Sequence, residues 1–303
     1  METRFRDRIY RPLDRHRCDR SLPRSPGTHF LAAPQLTARL SNKPLQMASL
    51  VAARSAARRA VASNTGRRAL SSSPIVELRE YNLKIEGAGA YMAATADAAE
   101  LRKRLVPMRL FSLPETGGRL AVATHFYAYD GHVERDAIRA EQAKDPDWGA
   151  YLGAARPHVA EQKSSIFVEA AGLHEAHGLQ GMASAESPGG ASAAAGIYEL
   201  RRYRLKLGYD TVPNFLERLG GGLESKLATL AEGSALCSVM YNDVGDLNEV
   251  VEVWRHASSN GMLASREAAR AAASWREAIA SIAPLANSFS TTIHRPAAFS
   301  AWK

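Results

Sequence analysis

Apolar and polar side chains alternate along residues 75–85, up to Glu86-Gly87, which is the two-residue period of a half-buried strand. The period then changes. Over 88–105, Tyr91, Ala94, Ala98, Leu101 and Leu105 recur at steps of three and four, which predicts an amphipathic helix ended by Pro107. A short apolar segment follows at 108–113, then a turn at Pro114-Glu115-Thr116-Gly117-Gly118 and an alternating strand from Arg119 to Tyr129. Residues 132–155 read as helix with a break near Asp145-Pro146, and 163–170 as a last strand. The order is β-α-β-β-α-β.

The same order returns. Strands are expected at 196–206, 234–241, 247–256 and 288–295, with a helix opening near Asp210-Thr211 and helical stretches over 259–286. The sequence itself repeats. Ile75-Val76-Glu77-Leu78-Arg79-Glu80-Tyr81 returns as Ile197-Tyr198-Glu199-Leu200-Arg201-Arg202-Tyr203 at an offset of 122, and Arg139, Trp148, Pro157 and Ile166 return at an offset of 127. The chain therefore reads as two copies of one small domain, 75–171 and 196–303, joined by a Gly/Ala/Ser-rich linker over 172–195. Each copy is an α+β unit with two helices on one face of an antiparallel sheet. Packing the copies sheet to sheet covers the other faces and gives a pseudo-dimeric barrel with its helices outside.

Charge is unevenly spread. Residues 1–73 hold 15 Lys+Arg against 4 Asp+Glu, a net of +11, and the remaining 24 and 27 leave the rest at −3. A slightly acidic body does not support a nucleic-acid surface. The basic part has an address-like composition. Residues 47–73 carry five arginines and no acid among Ala, Ser and Leu, the make-up of a mitochondrial presequence cleaved near Ser71, with Met47 as a candidate start. With Cys18 in that leader, the body keeps one thiol, Cys237, and no internal disulfide is expected.

Alternation also sorts the chemistry. Glu77, Arg79 and Tyr81 share one strand face, as do Glu199, Arg201 and Tyr203. His125, Tyr127 and Tyr129 share another, as do Glu252, Trp254 and His256. Val251 and Val253 suit a place under helices, so these polar and aromatic faces are expected to look into the space between the sheets. Two readings stand. Arg79 or Arg201 holds a ligand carboxylate while His125 or His256 moves protons. Alternatively, each Glu and Arg satisfies the other and the aromatic rings fill the barrel. Arg139 and Arg266 either line the barrel mouth or pair on the surface. Trp148 and Trp275 are expected as core anchors of a helix. Gly220-Gly221-Gly222 reads as a helix kink rather than a phosphate loop. No catalytic motif, cofactor signature or metal-ligand spacing emerges, and His174 and His177 stand without a ligand array around them.

Several segments resemble the NIPSNAP family. Tyr198 to Lys206 is similar to its opening strand, and Gly245 to Arg255 to its turn and third strand. His125-Phe126-Tyr127-Ala128-Tyr129-Asp130, with Arg135, Arg139 and Asp145-Pro146-Asp147-Trp148, resembles its strand-to-helix signature, and Arg295-Pro296-Ala297-Ala298-Phe299-Ser300 its ending. Tyr127 stands where a tryptophan is common in the family, and His256 where a tyrosine is. The resemblance implies mitochondrial residence, a tandem ferredoxin-like barrel and no agreed catalytic chemistry. It also implies a scaffold role in vesicle traffic or mitophagy, with mitochondrial or autophagy-related proteins as partners. A small-molecule ligand or cofactor-free or haem-handling chemistry is the alternative, by fold analogy. Peripheral membrane association and homo-oligomerisation stay open.

Overall fold

The strands of the computed structural model pair without a free edge. It describes residues 74–188, 190 and 195–303, all within one compact unit. The leader, its presequence and the cleavage near Ser71 lie outside the described residues. Eight strands, β1 (Ile75–Leu83), β2 (Met108–Thr116), β3 (Val122–Tyr129), β4 (Val159–Glu169), β5 (Ile197–Leu205), β6 (Ala235–Val244), β7 (Glu249–His256) and β8 (Ala286–Pro296), form a closed barrel. Their order is β1-β3-β2-β8-β5-β7-β6-β4, and neighbouring strands pair antiparallel. The joints between the halves of the chain are β2–β8 and β4–β6, so the sheets of the two halves join edge to edge and close into the expected barrel.

The helices lie outside. They are α1 (Ala88–Asp97), α2 (Ala99–Leu105), α3 (His132–Lys144), α4 (Pro146–Ala155), α5 (Ala171–His177), α6 (Thr211–Leu227), α7 (Ser259–Ala271) and α8 (Ala273–Ile282). The expected break at Asp145-Pro146 separates α3 from α4, where the Asp145 side chain caps the new helix by accepting from the amides of Asp147 and Trp148.

Among the described residues, apolar cores form on both faces of the sheet. Val76, Leu78, Leu110, Phe126, Phe167, Leu200, Met240, Val251 and Val253 meet inside the barrel, with Tyr198 and Trp302. Tyr203, Val250 and Trp254 meet α6 and α8 through Phe215, Leu219, Leu223, Trp275 and Ile282. This reverses the expected orientation: Val251 and Val253 point inward, and the polar–aromatic face lies beneath the helices. Alternation groups residues by face but does not say which face closes into a barrel. The closed interior offers a lone charge little access to water, so the inward-facing Glu80, Arg202 and Glu249 pair with one another, whereas the sheet–helix layer is open at its edges.

Two further expectations change. The 172–195 stretch is more than a spacer: it carries α5, and Met182 is fully buried in the barrel core, its carbonyl accepting from Arg109 Nε at 3.0 Å. The triple glycine does not break α6, which runs on from Thr211 to Leu227. A β-carbon at Gly222 would stand 2.5 Å from Ala278 Cβ and 2.8 Å from the Ser274 carbonyl, so glycine there allows close approach of α6 and α8.

Candidate functional site

The predicted residues gather into two sites, one on the helix side of each half, with the apolar barrel core between them. In the first half, β1 presents Glu77, Arg79 and Tyr81 beside His125, Tyr127 and Tyr129 of β3. Glu77 is buried and its Oε1 is crowded by donors: Ser164 Oγ at 2.7 Å, Arg135 Nη2 at 2.8 Å, Arg79 Nε at 3.0 Å and Arg139 Nη1 at 3.3 Å. Burial works to raise its pKa, but the Arg135 hydrogen bond and the charge of Arg79 outweigh it and hold it below the usual range. Arg79 also donates to the Tyr81 hydroxyl at 2.9 Å.

Sequence reading missed the central residue of this site. Arg102, on α2, is 2% exposed. Its guanidinium donates to the hydroxyls of Tyr127 at 2.6 Å and Tyr151 at 2.9 Å and lies over the rings of Phe111, Trp148 and Tyr151. The buried face of α1–α2 runs through Tyr91, Thr95, Ala98, Arg102 and Leu105, one residue away from the predicted stripe at Ala94 and Leu101. A cation inside an otherwise small and apolar stripe was the available signal. His125 stacks on Phe111 and lies 3.1 Å from the Tyr127 hydroxyl and 3.4 Å from that of Tyr91. Burial, then the charges of Arg102 and Arg79, push its pKa well down, so the ring is neutral. A cavity of about 350 Å³ opens beside Arg79, Tyr127, Tyr129, Arg139, Trp148 and Tyr151, and His125 is not among its lining residues.

The second half repeats the plan with other chemistry. Glu199 Oε1 accepts from Arg201 Nε and Arg266 Nη2, each at 2.6 Å, and from Thr291 Oγ1 at 2.9 Å. Glu199 Oε2 lies 3.2 Å from His256 Nε2. Burial opposes ionisation, yet the bonds from His256 and Arg201 prevail and hold the carboxyl well below its ordinary value. Glu252 stands opposite Arg201, the register position that His125 holds opposite Arg79. It accepts from the Trp254 indole at 2.6 Å, and burial raises its pKa. Lys226 of α6 is 2% exposed, lies over Trp254 and donates to the Ser265 carbonyl at 3.2 Å; burial lowers its pKa to about 8. A cavity of about 850 Å³ is lined by Glu199, Arg201, Lys226, Arg266, Trp275 and Phe289 among others. Arg139 and Arg266 thus reach the buried glutamates in the sheet–helix layer and do not line the barrel mouth. Trp275 is buried as expected, whereas Trp148 is half-buried at the edge of its cavity. Among the described residues, no group of three His, Cys, Asp or Glu is placed to hold a metal ion.

Comparison with known proteins agrees with this architecture. The NIPSNAP family model matches residues 76–172 and again 198–301. Protein NipSnap homolog 3B of Mus musculus is 24% identical over 225 residues, spanning 72% of this chain and 83% of the mouse protein. A crystal structure from Fusobacterium nucleatum, of a protein provisionally named a monooxygenase, superposes with a TM-score of 0.53 at 13% identity. It covers 75% of this chain and 94% of its own, a likeness of fold alone. A shorter protein from Agrobacterium tumefaciens is 29% identical over 35% of this chain and 99% of its own, with a TM-score of 0.32. With both matched segments falling on the two halves of the barrel, this chain belongs to the NIPSNAP family.

Proposed function

We propose that the protein is a mitochondrial ligand-binding protein in which two ferredoxin-like NIPSNAP units, fused as a pseudo-dimer, hold a small molecule between sheet and helices. The observation that carries this reading is the pair of arginine-walled, aromatic-lined cavities of about 350 and 850 Å³, within the size range of small-molecule sites. Binding is favoured over acid–base turnover because neither His125 nor His256 is among the residues lining these two cavities, and Glu199, which lines one, is held ionised by His256 and its arginines. The test is a thermal-shift panel of small metabolites on the full chain, repeated on Arg266→Gln. Stabilisation that weakens in the variant supports the reading; no stabilisation by any compound sinks it. The mitochondrial address rests on the arginine-rich, acid-free 47–73 stretch, and loss of import after Arg54, Arg58 and Arg59 are changed to Glu is the expected result.

A second reading, a scaffold that docks a protein partner, has its own support. Ile85, Leu207 and Tyr209 follow the C-terminal ends of β1 and β5 and are 86%, 91% and 102% exposed. Through the pairings these ends fall at the same end of the barrel, where Leu120 and Leu247 also stand out in the β2–β3 and β6–β7 turns. Exposed apolar tips spread round one end of the barrel suit an interaction surface. Acidic Glu86 and Asp246 beside Lys84 and Arg204 suit the polar rim of a protein contact better than an anionic lipid surface. Proximity labelling in mitochondria with wild type and with Ile85→Ser/Leu207→Ser/Tyr209→Ser tests it. A mitochondrial or autophagy-related protein lost from the variant's set supports the scaffold; identical sets, or loss of membrane or self-association instead, go against it.

A further inference from the structure

The two halves differ in how they neutralise buried charge. Opposite Arg201, β7 supplies Glu252, a carboxylate built into the second half. Opposite Arg79, β3 supplies His125 at the same register position, and that ring is neutral. The first half also buries Arg102, which has no carboxylate partner among the described residues, and whose Nε–H has no hydrogen-bond partner there. Phenol oxygens and ring faces solvate this cation in part, but they carry no opposing charge. The cavity walls match. Arg79, Arg102, Arg139, Arg156 and Lys163 line the first cavity and no acidic residue does, whereas Glu199 and Glu277 line the second.

From this contrast, and resting on the small-molecule reading above, we propose that the first-half cavity binds a small organic carboxylate with a flat aromatic body, whose charge stands in for the missing equivalent of Glu252. The carboxylate is the group that an arginine fork accepts in two-pronged fashion, and the half-buried Trp148 ring with the tyrosines at the cavity wall suits a flat body. The second half, already carrying Glu252, has less need of such a ligand.

Calorimetric titration of the full chain with sodium benzoate, and with benzamide as its uncharged analogue, tests this. Benzoate should bind at least ten-fold more tightly than benzamide, and Arg102→Met should weaken benzoate at least ten-fold. His125→Glu places a carboxylate where the second half has one, so it should abolish benzoate binding while raising the melting temperature of the unliganded protein. It serves as the second arm if Arg102→Met does not fold. Equal affinity for benzoate and benzamide, or benzoate binding untouched by His125→Glu, overturns the proposal. If benzoate binding falls with Arg266→Gln and not with Arg102→Met, the ligand sits in the second cavity: this inference fails and the small-molecule reading stands. If nothing in the metabolite panel stabilises the chain, both fail.

Discussion

Glu80 of β1 and Arg202 of β5 meet across the barrel interior, Arg202 Nη2 donating to Glu80 Oε1 at 2.7 Å. They are corresponding positions of the repeat, 122 residues apart. A symmetric pair of identical chains would set like charges against each other at this point, whereas the fused chain sets a glutamate against an arginine. Arg202 is also tied to Glu249 at 3.2 Å. Glu80→Arg should therefore destabilise the protein by about 2–4 kcal/mol, the order expected when one partner of a largely buried pair is reversed. The double exchange Glu80→Arg/Arg202→Glu should recover only part of that loss, because Glu249 then faces a new carboxylate. Urea denaturation of the wild type and the two variants reads both values, and full recovery would mean that Glu249 is indifferent to its partner.

The glutamates of the two sites should not be equivalent in stability. Glu199 accepts from Arg201 and Arg266 at 2.6 Å, and the Arg201 side chain is 11% exposed, against 21% for Arg79 beside Glu77. Glu199→Gln leaves more deeply buried cations without an anion, so it should cost about 3–5 kcal/mol, and Glu77→Gln less. Chemical denaturation midpoints of the two variants decide the order.

Gly221 and Gly222 are adjacent in α6 and should respond in opposite directions to alanine. A β-carbon at Gly221 meets nothing within 4 Å, so Gly221→Ala should stabilise by about 0.5–1 kcal/mol through helix propensity. Gly222→Ala must push α8 away from α6, since Ala278 Cβ would lie at 2.5 Å, and should cost about 1–3 kcal/mol. Melting temperatures of the pair read the sign directly. A stabilised Gly222→Ala would show that α6 and α8 separate without penalty.

Much of this fold is legible along the chain because the signals are local. Period-two runs mark strands such as Ile75–Leu83 and Ile197–Leu205, while Met108–Thr116 shows only as a short apolar segment; Asp145-Pro146 marks the break between α3 and α4, and the repeat of Ile75 to Lys84 at Ile197 to Lys206 marks the duplication. The grouping of Glu77 with Arg79 and Tyr81 follows from the pleat. What alternation cannot supply is the identity of the face. Val251 and Glu252 are neighbours on opposite sides of a strand buried on both, so only barrel closure through β2–β8 and β4–β6 decides which one goes inside. Arg102 and Lys226 were missed for a related reason. Both are long cations on buried helix faces, paired with phenols, rings and a carbonyl rather than with a sequence-near carboxylate.

Acid should unfold the protein through neutral histidines as well as carboxylates. Burial, then the neighbouring arginines, hold the pKa of His125 well below its ordinary value, and burial and Arg202 take that of His294 to about 3. Both are depressed in the fold, so below about pH 6.5 the unfolded chain binds protons that the native chain refuses. Stability should therefore fall as the pH drops from 6.5 towards 4.5, by up to about 1.4 kcal/mol per pH unit for each ring. His294→Asn should remove one share of that slope, measured as the pH dependence of the urea midpoint. An unchanged slope would place the lost protons elsewhere.

Lys226 gives the opposite window. Burial, then the charge of Arg201, lowers its pKa from 10.5 to about 8, so the folded state favours the neutral amine. At pH 7 the native protein must hold the ammonium over Trp254, donating to the Ser265 carbonyl, which costs stability. That cost shrinks as pH rises through 8 and is gone above the unfolded value near 10.5. Lys226→Met keeps the length of the chain and removes the charge. It should raise the melting temperature at pH 7, and its advantage should fade between pH 8 and 10 as the wild-type amine loses its proton. A variant less stable than wild type at pH 7 would mean that Glu199 and Glu252 need this cation more than burial opposes it, and would make Lys226 part of the second site's charge balance.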